Sequence, residues 1–140
     1  MSAMSDYLEE VFLGALLNAQ SFPTLSSVWL GLALSSLFTD ANYASEVSGG
    51  GYARVQLTAG FTVADAGGGQ WQAVNTNAFG HPAATANWGS PPTDKLVGCG
   101  LFDAATAGNL LVHGALSVQI PVYAGNVVYW QAGALVIEAQ

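Results

Sequence analysis

Basic residues are nearly absent from this chain. Arg54 and Lys95 are the only two, against nine carboxylates, which leaves a formal charge of −7 at pH 7. Lysine and arginine are the residues that neutralise phosphate, so binding to a nucleic-acid backbone has little to work with. An anionic membrane surface is disfavoured on the same ground. Charge of either sign is scarce, at 8% of residues where about 25% is usual. Exposed surfaces normally carry charge to stay dispersed. A chain this poor in charge and 51% apolar is expected to cover much of its surface with other protein, as a subunit of a larger assembly.

Cysteine is equally scarce. The single Cys99 cannot form an internal disulfide, so the fold has to be stable without one. Long apolar runs are missing too. The longest, Val28–Leu34, is interrupted by Gly31 and falls short of the roughly 18 residues a membrane helix needs. The N-terminus lacks the positive stretch of a secretion signal, and Glu9 and Glu10 break its first apolar segment. Strands are too few and too uneven for a membrane β-barrel.

Catalytic and metal chemistry find few residues to use. His81 and His113 lie far apart with no ligand type spaced beside them, so no metal motif is present and no cofactor is expected. Asp40, Glu46, Asp65, Asp94 and Asp103 all fall in expected turns, where capping and solvated roles outweigh paired-carboxylate hydrolysis. His113 would face Cys99 across an expected hairpin, but a thiol in an apolar strand is normally inert. The chain is not expected to be an enzyme.

What is present is strand patterning in a chain of one-domain length, residues 1–140. The one clear helix spans about Asp6 to Leu17. Leu8, Val11, Phe12, Ala15 and Leu16 form its apolar stripe, and Asp6 with Glu9 resembles a capping box. Tyr7, Leu13 and Leu17 fall off that stripe, which makes the helix a candidate docking element. Beyond Pro23 the period changes to two. Val28–Leu34 reads as a strand buried on both faces. Next, Ala53, Val55 and Leu57 alternate with Tyr52, Arg54, Gln56 and Thr58 as a half-buried strand. Trp71–Asn75 is a weaker strand. Lys95–Val118 is expected to form a hairpin, with Gly98 and Gly100 marking a bulge or a close backbone approach. Val127–Trp130 and Leu135–Glu138 complete the set. Short strands between frequent turn signals predict a mainly β fold, an antiparallel sandwich of jelly-roll type with one short N-terminal helix.

The segment Ser48-Gly49-Gly50-Gly51-Tyr52-Ala53-Arg54 is the most distinctive in the chain. Its glycines permit a sharp turn into the following strand. A phosphate-binding loop would need a following helix or a lysine, and neither is there. Arg54, the only guanidinium, is a candidate contact anchor alongside Tyr52. Trp29, Trp71, Trp88 and Trp130 serve packing or sugar stacking. Trp71 and Trp88 lie nearest to loops and are the candidate glycan contacts.

That glycine segment is followed in order by Trp88-Gly89, the run from Gly100 to Thr106, Gly114-Ala115-Leu116 and Ala132-Gly133-Ala134-Leu135. In these motifs, and in its N-terminal helix, the chain resembles a family of short tailed-bacteriophage virion proteins. Members are described as tail-fibre-like, and related small β-sandwich proteins serve as capsid cement. The chain departs from them at Ser90–Lys95, which lengthens the link to the next strand. The resemblance implies a structural role in the virion. The leading expectation is a capsid cement protein bridging major capsid subunits, and the alternative is a tail-fibre or baseplate adaptor with glycan or receptor binding. It also implies other virion proteins as partners and a homo-oligomer, a trimer among the options, with neither nucleic acid nor membrane bound.

Overall fold

The computed structural model describes residues 2–58 and 60–139. The chain is mainly β with one N-terminal helix. Its elements are β1 (Ser2–Met4), α1 (Asp6–Asn18), β2 (Val28–Leu34), β3 (Val55–Leu57), β4 (Phe61–Gly67) and β5 (Gln70–Asn75), then β6 (Phe79–Gly80), β7 (Leu96–Phe102), β8 (Leu110–Ile120), β9 (Tyr129–Trp130) and β10 (Val136–Ala139). All strand pairs are antiparallel. They form a five-stranded sheet ordered β1-β8-β7-β2-β3, a three-stranded sheet β10-β5-β4 and a two-stranded ribbon β6-β9. The expected fold class, mainly β with antiparallel sheets and one short N-terminal helix, is what the chain adopts.

β2 is buried on both faces, as its near-continuous apolar sequence predicts. Leu30 and Leu32 point into the main core, where they meet Trp88, Leu96, Val122, Val128, Trp130 and Leu135. Ala33 and Trp29 point the other way, into a second cluster built on Phe38, Phe102 and Leu110. In that second cluster, Phe38 and Tyr43 of the loop after β2 press onto the outside of the sheet. Gly98 and Gly100 make room for it: a Cβ on Gly100 would lie 2.9 Å from Phe38 Cδ2, and one on Gly98 would lie 2.8 Å from Leu37 Cδ2. The β7–β8 register also shifts between Leu96 and Gly98. The expected hairpin is present, and Asp103 closes it by accepting hydrogen bonds from the Asn109 backbone and side-chain amides, each at 2.7 Å.

The helix ends where expected but starts one residue earlier in its capping. Ser5, not Asp6, is the N-cap, its hydroxyl oxygen accepting from the Leu8 N–H at 3.3 Å. The same hydroxyl donates to the Leu110 carbonyl, and the Ser5 N–H donates to Leu111 O at 2.9 Å. Ser5 thus ties the helix to β8. Asp6 and Glu9 sit in the first turn, where the helix dipole favours them. The apolar stripe is only half used. Leu8, Val11 and Ala15 are half-buried, while Phe12 and Leu16 stay exposed. Gly14 is the buried helical residue, packed closely against the Gln20 side chain that folds back after the helix.

The Tyr52–Thr58 alternation is also corrected. The strand begins at Val55, and Arg54 is buried while Ala53 is exposed. Gly49, Gly50 and Gly51 all adopt left-handed φ, at 73°, 57° and 76°. This turn swings Tyr52 and Arg54 inward, where Glu46 receives them.

Candidate functional site

Arg54 is an internal staple. It is 6% exposed and grips the Glu46 carboxylate with two prongs. Its Nη1 donates to the carbonyls of Ala104 and Ala107, both at 2.8 Å. The guanidinium lies 3.5 Å from the Phe102 ring centroid, a cation–π contact. Tyr52 joins the same network: its hydroxyl donates to Glu46 Oε1 and accepts from the Leu32 N–H, both at 2.9 Å. Burial, and then the negative charge of Glu46, push the Tyr52 phenol far above its ordinary range. The expectation that Arg54 and Tyr52 anchor a contact with another subunit is corrected here, because their polar atoms are committed within the chain.

Trp88 is likewise interior. It is 0% exposed, and its indole N–H donates to Gly50 O at 3.1 Å. The glycine turn therefore rests on this ring, and a Cβ on Gly50 would sit 2.9 Å from Trp88 Cδ1. A ring with no open face cannot stack on a sugar, so Trp88 is withdrawn as a glycan contact. Nearby, His81 is buried and its Nδ1 donates to Ala53 O at 3.2 Å. Burial lowers its pKa to about 4, with the Ala53 bond opposing.

Cys99 and His113 do not meet. Cys99 pairs with Gly114 in the β7–β8 register and His113 with Gly100, so alternation sends the two side chains to opposite faces. Cys99 packs against the main core, where burial raises its thiol pKa to about 11. His113 Nε2 instead contacts Asp40 Oδ1 at 2.8 Å. Among the described residues, no group of three or more His, Cys, Asp or Glu is placed to hold a metal ion.

His113 and Asp40 border a groove of about 700 Å³. One wall is the edge of the five-stranded sheet, with Ala3 and Met4 of β1 and Val112–Ala115 of β8. The facing wall comes from one face of the three-stranded sheet. Val63 stands opposite Ala73, which stands opposite Ile137, with Trp71 one step along the same face. Leu8 and Glu9 of the helix close one side, and Leu37, Phe38 and Asp40 another. Trp71 is 55% exposed, so its ring is open to a ligand. Of the contact candidates named from sequence, Tyr7, Leu13, Leu17, Tyr52, Arg54, Trp71 and Trp88, only Trp71 is in the lining of this groove.

The helix carries the other unusual surface. Leu16 is 66% and Leu17 73% exposed, with Phe12 and Leu13 beside them. Phe22 and Leu25, in the segment that follows the helix, are exposed as well, while Tyr7 is half-buried at the helix start.

Residues 3–138 match the family model described as Podophage GP4 fiber I protein gp80. The chain belongs to this family. Among curated proteins, none matches. As a member of a phage fibre family, the chain is a structural virion protein of the tailed phages, and other virion proteins are its partners. Within this fibre protein, Asp40, His113 and Glu9 were not grouped with Trp71 by sequence reasoning. They come from a loop, a strand and a helix, and no local spacing signals that they meet.

Proposed function

We propose that this fibre-family protein is a tail-side assembly subunit that attaches to neighbouring virion proteins through its N-terminal helix. One observation carries the reading. In a helix of 13 residues, Gly14 is the buried position, while Phe12, Leu13, Leu16 and Leu17 face outward. Leaving four large apolar side chains in water on one short element is costly, at roughly 1.5–3 kcal/mol of forgone burial for each. Contiguous patches of this kind mark protein–protein contacts. Tyr7, Leu13 and Leu17 are the contact residues assigned to this surface.

The fibre description of the family favours a tail location over capsid cement. With the network around Arg54 turned inward, attachment is apolar in character, and no catalytic step is assigned to it. Assembly at a symmetric tail would bring several copies together, so that each contact strengthens the others.

Quantitative mass spectrometry of purified particles tests the location. A few to tens of copies per particle supports the tail. Copies near the number of capsid subunits would replace this reading with cement. Leu13→Ser with Leu17→Ser tests the surface. The double variant should fold with an unchanged melting temperature yet fail to enter particles, and normal incorporation would remove the helix from the interface.

A further inference from the structure

We propose that the free edge of β4 pairs with β4 of a second copy of this chain, joining two three-stranded sheets into one continuous sheet across a two-fold axis. β4 is the outer strand of the β10-β5-β4 sheet, and no strand among the described residues pairs with its other edge. From Thr62 to Gly67 it is exposed on both faces. An unpaired edge presents a row of N–H and C=O groups to any strand that meets it, and such edges are usually blunted by lysine, proline or a bulge. Phe61–Gly67 contains neither lysine nor proline. Its register shift falls between Asp65 and Gly67, at the hairpin tip, and leaves the stretch before it regular.

The register shows which groups the edge offers. The Asn75 N–H donates to Leu135 O at 3.2 Å, and its carbonyl accepts from the Gly133 N–H at 2.8 Å, so its backbone turns away from β4. Asn75 stands opposite Phe61. Bonded and non-bonded pairs alternate along an antiparallel ladder. Thr62 and Ala64 therefore bond to β5, while the N–H and C=O groups of Phe61, Val63 and Asp65 point to the free edge. These three positions are symmetric about Val63. A second β4 laid antiparallel offers the same three. Val63 then exchanges both hydrogen bonds with its counterpart, and Phe61 lies opposite Asp65. One sequence supplies both halves of the contact, as a two-fold interface requires. Charge selects the register. Centring on Asp65 would set two carboxylates face to face, which is destabilising. Centring on Val63 holds them about 14 Å apart, beyond the screening length of about 8–10 Å. Val63, 66% exposed in the single chain, gains its counterpart as a cross-strand neighbour.

The test is sedimentation of the full chain over a concentration series, with amide hydrogen exchange followed at each concentration. A single strand pair is a small contact, so a reversible, concentration-dependent dimer is expected. The Val63 amide should become protected as the dimer forms. Thr62 and Ala64, already bonded to β5, should exchange slowly throughout. Val63→Pro removes the central N–H and should weaken association about tenfold or more. Val63→Lys sets like charges opposite each other and should also weaken it, with an unchanged melting temperature because the side chain is exposed. Val63→Thr should keep the dimer. A chain that stays monomeric at every concentration, or a dimer whose Val63 amide stays unprotected, would overturn the proposal. Association lost in Leu13→Ser with Leu17→Ser but intact in Val63→Pro would overturn it in favour of the helix. Val63 protection confined to assembled particles, with the isolated chain monomeric, would overturn it in favour of a strand from another virion protein. The Val63 readouts do not involve Leu13 or Leu17, so they succeed or fail independently of the helix-docking reading.

Discussion

Arg54 meets Glu46 in a two-pronged ion pair, with Nε 2.7 Å from Oε1 and Nη2 2.6 Å from Oε2. The pair joins three stretches of chain. Glu46 ends the loop that covers the sheet, Arg54 follows the glycine turn, and the carbonyls of Ala104 and Ala107 belong to the β7–β8 connection. The side chains are 3% and 18% exposed, so the pair is shielded from most solvent screening.

Removing one partner from such a pair leaves the other charge buried. Arg54→Ala strands Glu46 and two backbone carbonyls, and is expected to cost about 3–5 kcal/mol in chemical denaturation. Arg54→Lys should recover little, because an ammonium cannot reproduce the fork or lie flat on Phe102. A loss within about 0.5 kcal/mol of zero would show that the network contributes nothing to folding.

Acid should weaken the fold through His81. Its pKa is about 4 in the folded chain against 6.5 for the ordinary group, chiefly because burial disfavours the charged ring. A lowered histidine pKa means that the unfolded chain takes the proton first. The stability this group confers is complete above pH 6.5, falls as pH drops from 6.5 to 4, and then levels off. Between pH 7.5 and pH 5 the loss should be about 2 kcal/mol. His81→Gln should flatten that part of the stability profile, and an unchanged slope would clear His81 of the effect.

Cys99 should resist modification. With the thiol pushed up to about 11 from 9.0, its thiolate fraction at pH 8 falls about a hundredfold. Iodoacetamide labelling of the folded chain should be slower by at least that factor than labelling in denaturant. Equal rates would mean that the β7 strand opens readily.

The outer face of the sheet should reject a single methyl group. In Gly100→Ala the new Cβ would lie 2.7 Å from Leu110 Cδ1 as well as against Phe38. Overpacking of this kind costs about 1–3 kcal/mol. A Gly125→Ala control introduces no comparable contact, since nothing lies within 4 Å of its Cβ position. Its loss should reflect only the φ of 87° there. Thermal melts of both variants provide the comparison.

Where burial imprints a period on the sequence, the fold was readable. β2 shows apolar residues at every step because both of its faces are covered, and the β7–β8 hairpin announces itself through Gly98, Gly100 and Asp103. The helix span follows from its apolar stripe and from Pro23 beyond it, although Ser5 rather than Asp6 caps its start. β4 left no such mark. From Thr62 to Gly67 its residues are exposed on both faces, so no alternation is imposed. β1 and β6 span only three and two residues and are too short to carry a pattern.

Arg54 was misread for a related reason. Beside Val55 and Leu57 its charge marks it as outward-facing, and only the distant Glu46 and the Ala104 and Ala107 carbonyls make an inward position tolerable. Trp88 looked exposed because it lies among loop residues, yet the glycine turn folds over it. The groove was the least legible feature. Trp71 could be suspected alone, but Glu9, Asp40 and His113 reach it through tertiary folding.

The bare positions at Gly98 and Gly100 act as a mould into which Leu37 and Phe38 are cast. Mould and casting have to change together. A side chain gained at residue 100 would call for a smaller one at residue 38, and a smaller residue 38 on its own would leave a void above the sheet. Among related fibre proteins, these positions should therefore vary as a matched set, with the loop's size and the sheet's emptiness rising and falling in step.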